Sequence, residues 1–319
     1  MFGIDLKNLN FGNLRKIFYF VPRLPRQVNI EPTTRCNLDC NVCKRKSLKL
    51  KDEDLSFDVF KKIISRLEGV KEISFGGFGE PLMNPKIFDM VRYAKEKGFI
   101  LTTTTNGYLI NPKNFDKVLV FDNLRISIES INSSKDSVQD GHPFSESLLD
   151  NIKELIKYRN KNNVKCKIFF NTIIHEGNYD SIADVVRYAQ KIGVDCVELI
   201  HLDTKDNNAY KFVPKKKEIS LYKKIKKRDF GIEVTSRYDR YIGLRKIGFR
   251  FNTKCPMSFD LLHIRMNGNV TPCAFGLPVY SLDNIFEKSL YNVWNGRKFK
   301  NFRKNQKKVC DGCTLYKWN

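Results

Sequence analysis

The chain contains no long hydrophobic run. The longest apolar stretch near its start, "IFYFV", is flanked by Arg15, Lys16 and Arg23. A secretory signal needs a core of about 7–15 apolar residues, and a membrane-spanning helix needs about 20. The sequence therefore predicts neither a signal peptide nor a membrane span. It also has no recognisable RNA-binding module, internal repeat or low-complexity segment.

Acidic residues are scarce: 35 Asp and Glu stand against 57 Lys and Arg, a formal net charge of +22. The basic residues concentrate in "PKKKEISLYKKIKKRDF", within residues 211–250, and in "RKFKNFRKNQKK" at 297–308, which has no acidic residue. Such runs usually solvate a surface. An excess this large also favours an anionic partner, such as tRNA, a phosphorylated metabolite or a membrane surface. The basic and aromatic segment 1–23 either packs on the fold or lies on anionic lipid.

Cysteines are too few for a small disulfide-rich domain, and their number, nine in 319 residues, is odd. This usage predicts a reducing, cytoplasmic location. Cys166 and Cys196 lie in apolar strand patterns and are interpreted as buried core thiols. The other seven form two groups, which are Cys36, Cys40 and Cys43 near the start, and Cys255, Cys273, Cys310 and Cys313 near the end.

The first group lies in "EPTTRCNLDCNVC", directly after a short apolar run. Three thiolates this close can hold three irons of a [4Fe–4S] cube and leave the fourth iron open to a small molecule. A zinc site is the alternative, because Cys-x2-Cys pairs commonly bind zinc.

A glycine-rich loop, "GGFGEPLMNP", follows the next predicted strand, "EISF". Gly76, Gly77 and Gly79 would let the backbone approach a ligand closely, and Glu80 presents a carboxylate at the end of the strand. An ordinary glycine-rich turn is the alternative interpretation.

Strand and helix patterns alternate six times from about residue 24 to residue 203. Helices are predicted after a Ser56 cap and after an Asn84 cap, the second running to Lys97 and ending at Gly98. Alternation of this kind predicts βαβ units and a parallel sheet. The predicted strands after the first are "EISF", "FILTTT", "NLRISIES", "CKIFFNTII" and "DCVELIHL".

The second cysteine group surrounds a predicted hairpin. Asn267-Gly268 separates "DLLHIRM" from "NVTPC", a strong turn signal between two strands. The hairpin brings Cys255 and Cys273 together, and the terminal "CDGC" completes four thiolates. From its chemistry alone, this closed site fits structural zinc or an iron–sulfur cluster equally well.

CxxxCxxC after the first strand, the GxGEP loop and Thr105-Asn106-Gly107 together resemble the radical S-adenosylmethionine (SAM) superfamily. One departure is Val42, where the family usually has an aromatic residue. The C-terminal quartet, with a helix around Trp294, resembles the SPASM/twitch extension, and four cysteines fit the shorter twitch form. The resemblance implies an α/β fold, a partial (β/α)6 TIM-type barrel over 24–230, after an N-terminal segment 1–23, and a hairpin-plus-helix extension over 231–319.

In that family SAM chelates the open iron, and one electron cleaves it to methionine and a 5′-deoxyadenosyl radical. The resemblance implies that Glu80 binds the ammonium of SAM and that Ser127 and Glu129 contact its carboxylate or ribose. A solvent-facing strand edge is the alternative interpretation of Ser127 and Glu129. The expected cofactor-binding residues are Gly76, Gly77, Gly79, Glu80, Asn106, Ser127, Glu129 and Asn171. The expected cofactors are two [4Fe–4S] clusters, one of them auxiliary and fully ligated, and SAM.

Hydrogen abstraction, loss of a proton and transfer of an electron to the auxiliary cluster would amount to a two-electron oxidation. The partners expected are SAM, a one-electron reductant such as flavodoxin or ferredoxin, and an unidentified substrate, for which the basic composition favours an anionic one. Candidate substrate contacts at strand ends or on the hairpin, each with a surface or core role as its alternative, are His201, Asp203, His263 and Arg265. Peptide maturation is an alternative function, although the residues before the first strand are too few for a leader-binding domain. A basic zinc protein that binds nucleic acid is a remote one.

Overall fold

The structure is a computed structural model of the 319-residue chain. It describes residues 21–40, 43, 45, 48–131, 145–202, 213–236, 255, 257–273 and 280–310. No helix within these ranges is long and apolar enough to cross a membrane.

The described strands form one ten-stranded sheet in the order β10-β9-β8-β1-β2-β3-β4-β5-β6-β7. All neighbours from β8 to β7 are parallel, whereas β9 and β10 are antiparallel. The strands are β1 Gln27–Ile30, β2 Glu72–Phe75, β3 Ile100–Thr105, β4 Asn123–Ser127, β5 Lys167–Ile174, β6 Cys196–His201, β7 Glu233–Ser236, β8 Leu261–Ile264, β9 Asn269–Thr271 and β10 Asp283–Asn284.

Helices connect most of the parallel strands and continue beyond β10. The described helices are α1 Phe57–Ile64, α2 Ile87–Glu96, α3 Phe115–Val118, α4 Glu146–Lys161, α5 Ile182–Ile192, α6 Lys215–Lys227, α7 Met257–Asp260, α8 Leu290–Trp294, α9 Arg297–Lys304 and α10 Gln306–Val309. Single 3₁₀ turns cover Pro81–Met83 and Tyr179–Ser181.

The two faces of the parallel sheet differ in chemistry because successive side chains point to opposite sides. On the outer face Val28 and Ile30 are fully buried in a core that includes Phe60 and Ile63 of α1. Asn29, which lies between Val28 and Ile30 on β1, is half-buried on the inner face. The inner face therefore carries polar side chains, as expected of a barrel that holds ligands.

The partial-barrel fold is confirmed, with one strand more than predicted. β7 pairs with β6 in parallel, so the sheet continues past residue 230, the predicted end of the barrel. At the other edge β8 pairs with β1, with Leu262 beside Val28. The predicted hairpin therefore extends the barrel sheet directly.

The caps of α1 and α2 turn out differently. Ser56 caps α1 as predicted, since its hydroxyl accepts a hydrogen bond from the Val59 amide. Asn84 does not cap α2, because the helix begins at Ile87 and its N-cap residue is Lys86. The Asn84 side-chain amide instead donates to the carbonyls of Pro32 (2.7 Å) and Leu55 (3.0 Å), so this buried residue joins separate loops.

Candidate active site

The loop that carries the first three cysteines is anchored just before Cys36. Thr33 donates to Asp54 at 2.6 Å, and the Arg35 guanidinium pairs with the same carboxylate at 2.7 Å. Arg35 also donates to the Met83 carbonyl at 2.7 Å. These contacts fix the start of the loop against the segment that follows Glu80.

Cys36, Cys40 and Cys43 are half-buried, and they lie close enough for their charges to affect the pKa of Cys36 and of Cys40. Burial raises the pKa of the Cys40 thiol to about 12, and the neighbouring Cys43 and Cys36 thiols add to the increase. Burial likewise raises the pKa of Cys36. Because three adjacent thiolates in a partly buried loop repel one another, they require positive charge between them, which fits an iron–sulfur cluster.

Asn106 lies beside the first of these cysteines. Its side-chain amide donates to the Asn37 side chain at 2.8 Å and lies 3.9 Å from the Cys36 sulfur. The Leu38 amide also points at that sulfur, at 3.4 Å. Hydrogen bonds to ligand sulfurs are one of the means by which a protein adjusts a cluster.

Glu80 is 3% exposed, and its carboxylate joins the glycine loop to the end of β3. One oxygen accepts from the Thr105 hydroxyl (2.7 Å) and the Leu82 amide (3.1 Å), and the other accepts from the Asn106 amide (2.8 Å). Burial raises the pKa of Glu80, and these hydrogen bonds oppose the rise. Since each carboxylate oxygen can accept two bonds, the second oxygen keeps one position for a ligand.

The glycines of the loop make close approaches within the protein. A Cβ at Gly79 would lie 2.3 Å from the Thr33 carbonyl oxygen, and one at Gly77 would lie 2.6 Å from the Glu31 side chain. At Gly76 the nearest atom would be at 3.4 Å, an ordinary contact. Gly77 and Gly79 thus let this loop pack on the segment that leads into the cysteine loop.

The ends of β4 and β5 place three of the expected SAM contacts together. Ser127 lies beside Asn171 in the sheet register. Glu129 accepts a hydrogen bond from the Ile173 amide at 2.9 Å, so its carboxylate is already bound to the next strand.

Arg125 and Glu198 form an ion pair on the inner face, and neither residue was predicted as part of the site. The two side chains remain about a quarter exposed, at 28% and 25%. The Arg125 guanidinium also lies 4.5 Å from the centre of the Phe169 ring and 3.5 Å from the Asn171 side-chain oxygen. The signal in the sequence was the alternation with Leu124 and Ile126, which puts Arg125 on the same face as Ser127.

The candidate substrate contacts occupy different environments. His201 lies on the outer face, where its Nδ1 is 3.0 Å from the buried Glu218 carboxylate of α6, so it does not face the barrel interior. Asp203 lies outside the described residues. His263 lies between Asn29 and Thr271 in register, and neither of its ring nitrogens has a hydrogen-bond partner among the described residues. Burial lowers the pKa of His263 to about 4.

Arg265 connects the hairpin to the cysteine segment. Its guanidinium lies 3.2 Å from the Glu31 carboxylate, which is itself buried. Burial raises the pKa of Glu31, and the positive charge of Arg265 and the Phe78 amide lower it. This ion pair therefore lies where β1, the glycine loop and the hairpin meet.

The second cysteine group is organised by Gln306, which is 1% exposed. Its side-chain oxygen accepts from the Cys255 amide at 2.8 Å, and its main-chain carbonyl accepts from the Cys310 amide at 2.7 Å. Its side-chain nitrogen donates to Ser258, whose hydroxyl donates to the Cys255 carbonyl at 3.2 Å. One residue therefore holds two cysteine segments together. Cys273 is half-buried after β9.

Cys313, the fourth predicted ligand, lies outside the described residues. The closed four-cysteine site therefore stays a prediction.

Two family models match the chain. Residues 30–189 match the radical SAM superfamily, and residues 255–314 match SPASM, an iron–sulfur cluster-binding domain. The chain belongs to the radical SAM superfamily and carries a SPASM domain, as its motifs predict. It is accordingly a radical SAM enzyme whose cofactors are SAM, a SAM-binding [4Fe–4S] cluster and an auxiliary iron–sulfur cluster.

Similar proteins match along most of the chain. The tungsten-containing aldehyde ferredoxin oxidoreductase cofactor-modifying protein of Pyrococcus furiosus is 28% identical, covering 90% of this chain and 86% of its own length. The AdoMet-dependent heme synthase of Methanosarcina barkeri is 25% identical, covering 91% of each.

Solved structures share the fold. Streptococcus suis SuiB bound to S-adenosylmethionine superposes with a TM-score of 0.70 at 20% identity, covering 96% of this chain and 74% of that one. AdoMet-bound anSMEcpe gives a TM-score of 0.67 at 20% identity, covering 92% and 84%.

Proposed function

We propose that this enzyme cleaves SAM reductively to a 5′-deoxyadenosyl radical and uses it to abstract hydrogen from a substrate in a net two-electron oxidation. The observation that carries the proposal is the convergence of the cysteine loop, Glu80 and Asn106. Through them the cysteine loop, the glycine loop and the end of β3 form one hydrogen-bonded unit.

Cys36, Cys40 and Cys43 are the proposed ligands of the SAM-binding cluster, which when bound supplies the electron that cleaves SAM. Burial, together with the neighbouring thiols, raises the pKa values of Cys36 and Cys40, and this supports the assignment because the positive charge of iron would stabilise the thiolates. The Asn106 side-chain amide and the Leu38 main-chain amide are placed to donate hydrogen bonds to the Cys36 sulfur.

The remaining acceptor position of Glu80 supports its proposed contact with the SAM ammonium. Ser127, Glu129 and Asn171 are the proposed contacts to the carboxylate or ribose. Their grouping at the ends of adjacent parallel strands favours this, since ligands of such barrels bind at the carboxyl ends of the strands.

The oxidation is proposed to deliver its second electron to the auxiliary cluster held by Cys255, Cys273, Cys310 and Cys313. The partly exposed polar groups of the inner face, above all Arg125 and Glu198, are available to a polar substrate. His263 and Arg265 remain proposed contacts on the hairpin side.

A second candidate function is modification of an oxidoreductase cofactor. The similarity to the cofactor-modifying protein of Pyrococcus furiosus, over 90% of this chain, favours it. Peptide maturation remains an alternative, favoured more weakly by 24% identity to the PqqA peptide cyclase of Rhodopseudomonas palustris over 56% of this chain.

The test uses protein purified and reconstituted without oxygen. We expect about eight irons per chain, from two four-iron cubes, and formation of 5′-deoxyadenosine from SAM with dithionite. Replacing Cys36, Cys40 and Cys43 by Ala should leave about half the iron and abolish cleavage. Cys166→Ala, a buried core thiol, is the matched control and should retain both. Tightly bound zinc in place of iron would contradict the proposal.

A further inference from the structure

A strongly basic face lies on the SPASM domain. The side chains that form it are exposed, and none has an acidic partner at ion-pair distance within the part of the chain that the structure describes. These side chains, here called the α9 face, are Arg297, Lys298, Lys300, Lys304 and Lys308. Lys300 and Lys304 are one helical turn apart, so they point in the same direction.

The orientation of this face is fixed by the buried side of α9. Phe299 and Phe302 are in the core. Arg303 is also buried, and its guanidinium donates to the carbonyls of Ser258 and Trp294, both at 2.9 Å. Its guanidinium stacks 4.1 Å from the Trp294 ring centre. The helix therefore presents its cations on a rigid surface.

The α9 face is also directly connected to the proposed auxiliary cluster. α10 follows α9 immediately and leads to Cys310. Lys304 and Lys308 each lie two residues from Gln306, the side chain that joins the Cys255 and Cys310 segments. The charges are thus part of the same short helical segment that holds two proposed cluster ligands.

An exposed aromatic ring packs against the same helix. Tyr280 is 42% exposed, and its ring centre lies 6.1 Å from that of Phe302 on α9. Aromatic residues are enriched in protein–protein interfaces, and the rim around them is polar and solvent-accessible. Transient redox complexes use small interfaces of this kind and rely on charge complementarity for rapid association.

We propose that the α9 face docks an acidic one-electron carrier protein of the flavodoxin or ferredoxin class. This rests on the proposed function, because it assumes an auxiliary cluster at Cys310. One electron passes between the carrier and the enzyme, so one partner is oxidised as the other is reduced, and no bond forms or breaks. The adjacent redox site favours such a carrier over RNA or lipid, which would have no use for it.

The test titrates two oxidised carriers, an FMN flavodoxin and a [4Fe–4S] ferredoxin, into the reconstituted holoenzyme at low salt and measures the dissociation constants calorimetrically. K300E/K304E should weaken binding by about tenfold or more. The matched control, K223E/K224E, makes the same change of charge at exposed positions of α6 and should weaken it by less than about twofold. Iron content and melting midpoint verify that both variants are folded.

Equal weakening by both pairs would overturn the proposal, since the net charge of the whole molecule would then explain binding. Failure of the wild type to bind either carrier would do the same. The proposal would also be overturned if K300E/K304E bound both carriers as the wild type does but lost binding to mixed tRNA or to phosphatidylserine vesicles. Dithionite-driven SAM cleavage is measured in parallel. It needs no carrier, so its failure in the wild type would contradict the proposed function instead.

Discussion

Glu80 shows how a single carboxylate can organise the site. Its oxygens accept from Thr105, Leu82 and Asn106, while its own amide donates to the Arg35 carbonyl at 2.8 Å. The residue therefore joins the cysteine loop to the end of β3. A role in SAM binding would add to this structural one.

Replacing Glu80 by Ala is expected to weaken SAM binding by about one to two decades, because a hydrogen bond to a charged group contributes roughly 1.5–3 kcal/mol. Glu80→Gln should be intermediate, since it keeps an acceptor but loses the charge. Isothermal titration with SAM measures the effect. The control is Glu96→Ala, at an exposed position of α2. Unchanged affinity in the Glu80 variants would remove this residue from the SAM site.

His263 should make stability depend on pH. Its pKa is about 4 in the folded protein, against about 6.5 when unfolded, so the unfolded chain takes up the proton first as the pH falls. This group should therefore lower the free energy of unfolding by about 2 kcal/mol between pH 7 and pH 5. Anaerobic urea unfolding of wild type and His263→Gln measures the difference in slope. Parallel pH profiles would show that His263 does not contribute.

Single residues with tertiary roles were the hardest to predict. Arg125 and Glu198 alternate with apolar residues, and a polar barrel interior gives the same sequence pattern as a solvent-facing sheet. Gln306 belongs to no motif, since its importance comes from contacts with Cys255 and Ser258, about fifty residues earlier in the chain. The cysteines were recognisable because ligand chemistry fixes their type and spacing.

At the scale of elements, the glycine loop should tolerate change at one position and not at another. Gly79→Ala would place a Cβ 2.3 Å from a main-chain oxygen, and overpacking of this kind costs about 1–3 kcal/mol. We expect a displaced cysteine loop, with loss of up to half the iron and weaker SAM binding. Gly76→Ala, in the same loop with its nearest contact at 3.4 Å, is the control and should retain both. Iron analysis and SAM titration distinguish the two, and equal behaviour would refute the packing argument.

The α9–α10 segment should control the auxiliary cluster alone. Replacing Cys310 and Cys313 by Ala should remove about half the iron but preserve dithionite-driven SAM cleavage, because the cleaving iron belongs to the first cysteine loop. Gln306→Ala should act in the same direction by separating the Cys255 and Cys310 segments. Lys298→Ala, exposed on α9, is the control. Loss of SAM cleavage along with the auxiliary iron would show that the two sites are not independent.

Most elements followed from periodicity and cap residues. The Ser56 cap and the Asn267-Gly268 hairpin agree with their predictions. β7 was missed because Glu233–Ser236 is short and follows a highly charged helix. The start of α2 was misplaced because Asn84 makes tertiary hydrogen bonds, which no local pattern reveals.

At the scale of the whole molecule, the Glu31–Arg265 ion pair connects the barrel to the hairpin. Arg265→Met would leave a buried carboxylate without its cation, which costs about 3 kcal/mol when a buried pair is broken. The melting midpoint should fall, and adding Glu31→Gln should recover much of the loss. A double-mutant cycle measures this coupling. Additive effects of the two substitutions would show that the pair does not stabilise the junction.

The pairing of β8 with β1 has a consequence for biosynthesis. β1, which leads into the cysteine loop, gains one neighbour from β2 early in translation, but the other only when Leu261–Ile264 has left the ribosome. Until then its edge is open, and open strand edges invite wrong pairing. Because such distant pairing also slows folding, the nascent chain passes through a stage in which its first cysteines are synthesised but their strand is unprotected. Iron delivery before the last strands arrive would therefore meet an unfinished site.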